Sequence, residues 1–198
     1  MIQVRDLTKI YEFGRHKHYA LNGVSFDIKD KEFVVILGEC GSGKTTLLNI
    51  ISGLEKPSGG SVKHDGQEIL TLSDEELLKF RRDKTVYVFY TYFKRESEGD
   101  GKYAELAKMT AKVPKTIFCD EPTEILDEAK GRHIFKYLVK LQKKRGLTVI
   151  VVTHNPNVAD IATKVIKLNN GEIVEIKENK NPASVDDIGW TPFKCADG

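Results

Sequence analysis

The apolar run FVVIL leads without a break into GECGSGKT, residues 38–45, and then into the helix-like TLLNIISGL. A buried strand feeding a glycine-rich turn and an apolar helix fits few architectures. It points to an α/β fold whose sheet ends in an anion-binding loop. The spacing GxxxxGK[ST] has a physical meaning. Glycines let backbone amides converge on an anion without interference from Cβ atoms, at the positive end of a helix. Gly38, Glu39, Cys40, Gly41, Ser42, Gly43, Lys44, Thr45 and Thr46 are therefore the candidate phosphate-binding residues. Within them Lys44 would reach the outer phosphates, and the Thr45 hydroxyl would ligate Mg2+.

The rest of the chain supports that reading. IQVRDL, ALNGVSFDI and FVVIL read as strands, and SVKHDGQEI as a hairpin turning at Asp65-Gly66. Ser73 and Glu76 form a capping box opening the helix DEELLKFRRD, and the strand TVYVFY follows. KYAELAKMTAKV is predicted helical, TIFC a strand, and Glu128 to Arg145 a long helix stopped by Gly146. LTVIVV and the hairpin KVIKL-NNG-EIVEIK, turning at Asn170-Gly171, complete the pattern. Uninterrupted apolar strands alternating with helices imply a P-loop NTPase core with a mostly parallel sheet covered on both faces, plus an N-terminal antiparallel β patch.

Two more strands end in chemistry. TIFCDEPT delivers Asp120, the natural outer-shell partner of the metal, and Glu121, the candidate base that polarises an attacking water. VIVVTHN ends in His154, an imidazole able to hydrogen-bond a γ-phosphate. Lys44, Glu121 and His154 are the catalytic candidates, and Thr45 and Asp120 the metal candidates. Composition narrows the partners. With 31 basic and 29 acidic residues, a net charge of +2 creates no global field for nucleic acid. No apolar run approaches the ~20 residues needed to span a bilayer, and the start lacks a signal-like stretch, so a cytoplasmic protein is expected. Three cysteines make no disulfide framework and match no metal motif, so free thiols are expected.

Taken in order, these motifs resemble the nucleotide-binding domain of ABC-type ATPases, in particular its lipoprotein-release and macrolide-export branch. The resemblance covers most of residues 1–92 and 114–178. LTKIY and YALNGVSFDI match its N-terminal sheet, with Tyr11 where the family stacks an aromatic on adenine. CDEPTEILD matches its catalytic carboxylates and D-loop aspartate, Asp127, and VVTHN its switch histidine. The resemblance implies ATP and Mg2+ as ligands and ATP hydrolysis to ADP and phosphate. It also implies a strand order that places the VIVVT strand between those ending near Cys40 and Cys119, too far apart for a disulfide. The partners it allows are a second copy of the chain, a different chain with an intact signature, or a membrane protein docking the domain at the inner face of the cell membrane.

One interval departs from the family. From Tyr90 to Pro114 there are only 25 residues, where the family places a glutamine, a helical subdomain and the LSGGQ signature. The glutamine position reads Tyr90, and the best signature remnant is ESEGDG, residues 96–101. Carboxylates there would face a triphosphate, each like-charge pair costing about 3 kcal/mol at ~6 Å and a dielectric of ~20. The expected organisation is a nucleotide-binding core over 1–178, its helical subdomain reduced to about 91–113, and a loosely attached polar tail over 179–198. Slow ATP hydrolysis with doubtful transport coupling is the leading reading. Its rivals are a regulatory or assembly module that binds ATP without turnover, and a transporter subunit completed by a partner chain.

Overall fold

The computed structural model describes residues 1–89, 110–111, 114–123 and 126–190. Tyr90, the signature remnant at 96–101 and nearly all of the predicted helix KYAELAKMTAKV lie outside the described residues. Among those described, no helix is long and apolar enough to cross a membrane.

Two sheets form the scaffold. The first is antiparallel, in the order β2-β1-β4-β5, from β1 (Ile2–Phe13), β2 (His16–Ile28), β4 (Gly59–His64) and β5 (Gln67–Glu68). The second runs β10-β9-β3-β8-β7-β6, from β3 (Phe33–Leu37), β6 (Thr85–Phe89), β7 (Thr116–Asp120), β8 (Thr148–Thr153), β9 (Lys164–Asn169) and β10 (Glu172–Glu178). Its neighbours pair in parallel except β10, which is antiparallel to β9. The expected sheet and its N-terminal antiparallel companion are both present. So is the expected strand order, with β8 between β3 and β7.

The continuous apolar strands are buried on both faces because alternate residues feed two cores. Val34, Ile36, Phe118, Ile150 and Val152 face α1 (Lys44–Ile51) and the antiparallel sheet. Phe33, Val35, Ile117, Val149 and Val151 face α3 (Glu128–Arg145), whose buried stripe is Ile134, Phe135, Leu138 and Leu141. Helix α2 (Asp74–Lys84) buries only Phe80. Its capping box is formed as expected, the Ser73 hydroxyl accepting from the Glu76 amide while the Glu76 carboxylate accepts from the Ser73 amide. α3 begins at the Asp127 cap and ends where Gly146 takes φ 67°.

Three expectations change. β1 and β2 run on to a hairpin tip at Gly14-Arg15, well past the segments IQVRDL and ALNGVSFDI. Near the tip Glu12 and Lys17 form an exposed cross-strand ion pair, and the largely exposed side chains carry no apolar alternation. The tail is not loose over its described part. Val185 and Ile188 are buried against α3, and the Arg132 guanidinium donates to the carbonyl oxygens of Val185 and Ile188. Finally, Cys119 is a buried free cysteine, but the exposed Cys40 is disulfide-bonded, so free thiols hold for the sheet residue and fail for the loop residue that solvent reaches.

Candidate functional site

The phosphate loop occupies the junction between β3 and α1. Gly43 caps α1 with φ 99°, a backbone state other residues rarely adopt. A Cβ there would lie 2.2 Å from the Ala20 carbonyl oxygen of β2, so the loop touches the antiparallel sheet directly. Gly171 of the β9–β10 turn donates to the Ser42 carbonyl at 3.0 Å and accepts from Asn22 at 2.9 Å. Three chain segments thus interlock beneath the loop. No side chain caps the start of α1 and no carboxylate sits in its first turn. Among the described residues its amides have no side-chain cap, which suits an anion site.

A cleft of about 210 Å³ opens there, lined by Tyr11, His18, Ala20, Gly41, Gly43, Lys44, Thr45 and Thr46. All of these except His18 and Ala20 are candidates on sequence alone. Both belong to β2, and His18 is the cross-strand partner of Tyr11. The unrecognised hairpin tip hid them. Conversely, Gly38, Glu39, Cys40 and Ser42 do not line the cleft; they shape the loop. The buried Ser42 hydroxyl has no hydrogen-bond partner among the described residues and lies where a Cβ on Gly38 would meet it at 2.5 Å. It occupies the space that Gly38 leaves. Glu39 contributes its carbonyl, which accepts from Lys44 Nζ at 2.7 Å.

Asp120, Glu121 and His154 stand at the carboxyl ends of β7 and β8. The Thr45 hydroxyl donates to Asp120 Oδ1 at 3.1 Å, tying the loop to β7. His154 Nδ1 lies 2.8 Å from Glu121 Oε1, with both side chains largely buried. Glu121 takes φ 43°, a strained state for a residue with a side chain, and its amide donates to the Val152 carbonyl at 3.0 Å. The two strands therefore fix the Glu–His pair between them.

The donor set fits Mg2+. That ion takes one or two protein oxygens and completes its octahedron with phosphate and water. Thr45 presents one such oxygen, and Asp120, bonded to it at 3.1 Å, a carboxylate for the outer shell. Among the described residues no cluster of three or more His, Cys, Asp or Glu forms a self-sufficient metal cage.

Comparison with known proteins agrees with the geometry. The profile of the ABC transporter family matches residues 21–95. An uncharacterized ABC transporter ATP-binding protein of Methanocaldococcus jannaschii is 35% identical over 223 positions, covering 87% of this chain and 95% of that protein. The solved dimer of that cassette in a post-hydrolysis state, bound to ADP and Pi, superposes with a TM-score of 0.80 over 90% of this chain and 98% of its own. A putative ABC transporter ATP-binding protein of Mycoplasma pneumoniae is 32% identical over 96% of this chain, which spans only 50% of that longer relative. The lipoprotein-releasing system ATP-binding protein of Leptospira interrogans is 29% identical, covering 89% of this chain and 92% of that protein. In the archaeal alignment, 87% of 198 residues is about 172, set against 223 positions, so roughly fifty positions are filled only in the relative.

Proposed function

This chain belongs to the ABC transporter ATP-binding proteins and is an ATP-binding P-loop ATPase of that type; from that premise we propose how its own residues carry the reaction. The observation that carries the proposal is that Thr45, a residue of the cleft, bonds Asp120 at 3.1 Å, while the next residue, Glu121, pairs with His154 at 2.8 Å. Lys44 exchanges the Glu39 carbonyl for the β and γ phosphate oxygens of ATP. Backbone amides of the loop and the first turn of α1 hold the remaining phosphate charge. Magnesium, bound through the Thr45 hydroxyl with Asp120 in its outer shell, would neutralise the phosphates. Glu121 orients a water in line with the γ-phosphorus and takes its proton, and ADP departs with the bridging oxygen. His154, carrying a proton on each ring nitrogen, holds the Glu121 carboxylate through Nδ1 and donates to the γ-phosphate through Nε2. The adenine stacks on Tyr11.

Two features support slow turnover by a single chain. The interval from Tyr90 to Pro114 is short, and its remnant ESEGDG places acids where the family uses LSGGQ. The fifty unfilled positions of the archaeal alignment agree with a helical subdomain reduced to about 91–113. That relative is a dimer bound to ADP and Pi, which favours a second reading: a partner, either another copy or a chain with an intact signature, completes the site, and a membrane protein receives the work. Phosphate release measured on wild type and Glu121→Gln tests hydrolysis. Release that falls to background in the variant supports it; equal release in both removes Glu121 from the reaction and favours a binding module.

A further inference from the structure

Tyr11 is held by a charged pair, and we propose that Glu55, with Lys9 as its counter-ion, is a positioning residue that sets the Tyr11 ring for a nucleobase. The inference rests on the reading of Tyr11 as the base platform. Lys9 and Tyr11 are two residues apart on β1, so both project from one face of the strand. Glu55 comes from the turn after α1, where its amide donates to the Asn49 carbonyl at 3.2 Å. The Tyr11 hydroxyl donates to Glu55 Oε1 at 2.7 Å, and Lys9 Nζ reaches the same oxygen at 2.9 Å. Lys9 Nζ also donates to the Lys56 carbonyl at 2.8 Å and sits 5.0 Å from the centroid of the Tyr11 ring.

The Lys9–Glu55 pair is less exposed than most of the surface ion pairs. Its side chains are only 16% and 25% exposed, so water and salt screen it less. Burial pushes the Glu55 carboxyl up, but Lys9, Tyr11 and Asn49 together outweigh it and hold the group below its ordinary range. The proton therefore stays on the tyrosine, which donates to an ionised acceptor, the stronger kind of hydrogen bond. The ammonium covers one side of the ring and the hydroxyl is tethered, which leaves the other side for a base. The Tyr11 hydroxyl also lies 3.4 Å from the Thr46 hydroxyl in the first turn of α1. The platform is thus tied to the phosphate cradle at a fixed spacing. A preset ring spares the entropy of ordering it when nucleotide binds.

The test separates base from phosphate by titrating ATP and inorganic triphosphate, both with magnesium, into wild type and variants. In Tyr11→Ala, ATP affinity should fall about tenfold, within the range that base stacking supplies, with triphosphate unchanged. In Glu55→Ala, ATP affinity should fall about fourfold with triphosphate again unchanged, since an untethered ring loses part of that stacking. Glu55→Gln, which keeps an acceptor for the hydroxyl, should recover most of the loss. In a Tyr11→Phe background Glu55→Ala should cost little more, because the hydroxyl it acts through is gone. Equal losses for both ligands in Glu55→Ala would mean a merely structural role and overturn the proposal. So would no loss in Glu55→Ala alongside a selective loss in Tyr11→Ala. A Tyr11→Ala variant with unchanged ATP affinity would instead remove the platform reading and the proposal with it.

Discussion

Gly131→Ala is a small change in the first turn of α3 with a sign that the packing decides. Alone, replacing glycine by alanine inside a helix should stabilise by about 0.5–1 kcal/mol. Here the added Cβ would lie 2.1 Å from both Cζ2 and Cη2 of Trp190, so the indole must leave its seat. That ring packs on Phe135 at 6.2 Å between centroids and lies 5.9 Å from the Arg132 guanidinium. Losing the aromatic contact costs about 1 kcal/mol, the cation–π contact about 0.5–1, and re-exposing part of the indole about 1 more. The net effect is a loss of about 2 kcal/mol, or roughly 4–8 °C in melting temperature for a domain of this size. The chain has a single tryptophan, so intrinsic fluorescence reads this one contact. The variant should emit to the red of wild type before unfolding and unfold at lower urea. Unchanged emission with a raised midpoint would refute the docked strap and leave only the helix-propensity gain.

Other consequences follow from buried groups. Burial pushes the His64 imidazole down from 6.5 to about 4, outweighing the hydrogen bond from Nε2 to the Ile51 carbonyl at 2.8 Å. A depressed histidine means that folding favours the neutral ring. Stability is then complete above pH 6.5 and falls as the pH drops toward 4, by about 3 kcal/mol in all. Urea midpoints between pH 4 and 7 check this, and the slope should flatten in His64→Leu. The Cys119 thiol, raised by burial first and by Asp120 second, should resist alkylation in the native protein and react only once urea unfolds it. Rapid labelling without denaturant would contradict its place inside the sheet.

Much of the architecture could be read from residues because local signals agreed with the global fold. α3 was legible end to end: Asp127 accepts from the Lys130 amide at 2.9 Å, and Gly146 adopts the left-handed state that stops a helix. Asp65-Gly66 and Asn170-Gly171 turn their hairpins with positive φ at both residues, as a two-residue turn demands. The placement of Asp120, Glu121 and His154 followed from strands that end at one sheet edge. What stayed hidden depends on pairs distant in sequence. His18 enters the cleft only because it registers with Tyr11 across a hairpin whose tip has no apolar pattern. Nothing near Ser42 in the sequence says that its hydroxyl turns inward, because the cause is the space left at Gly38. The strap over 183–190 reads as polar, yet two apolar residues and the carbonyls bound by Arg132 anchor it.

The central claim is that this one chain holds a triphosphate through its loop and the Thr45–Asp120 pair. Calorimetric titration of ATP into the purified protein, with and without magnesium, tests it most directly. Saturable binding at one site per chain, strengthened by magnesium and lost in Lys44→Ala, is the predicted result. No binding heat under either condition, or equal affinity in the Lys44→Ala variant, would contradict it.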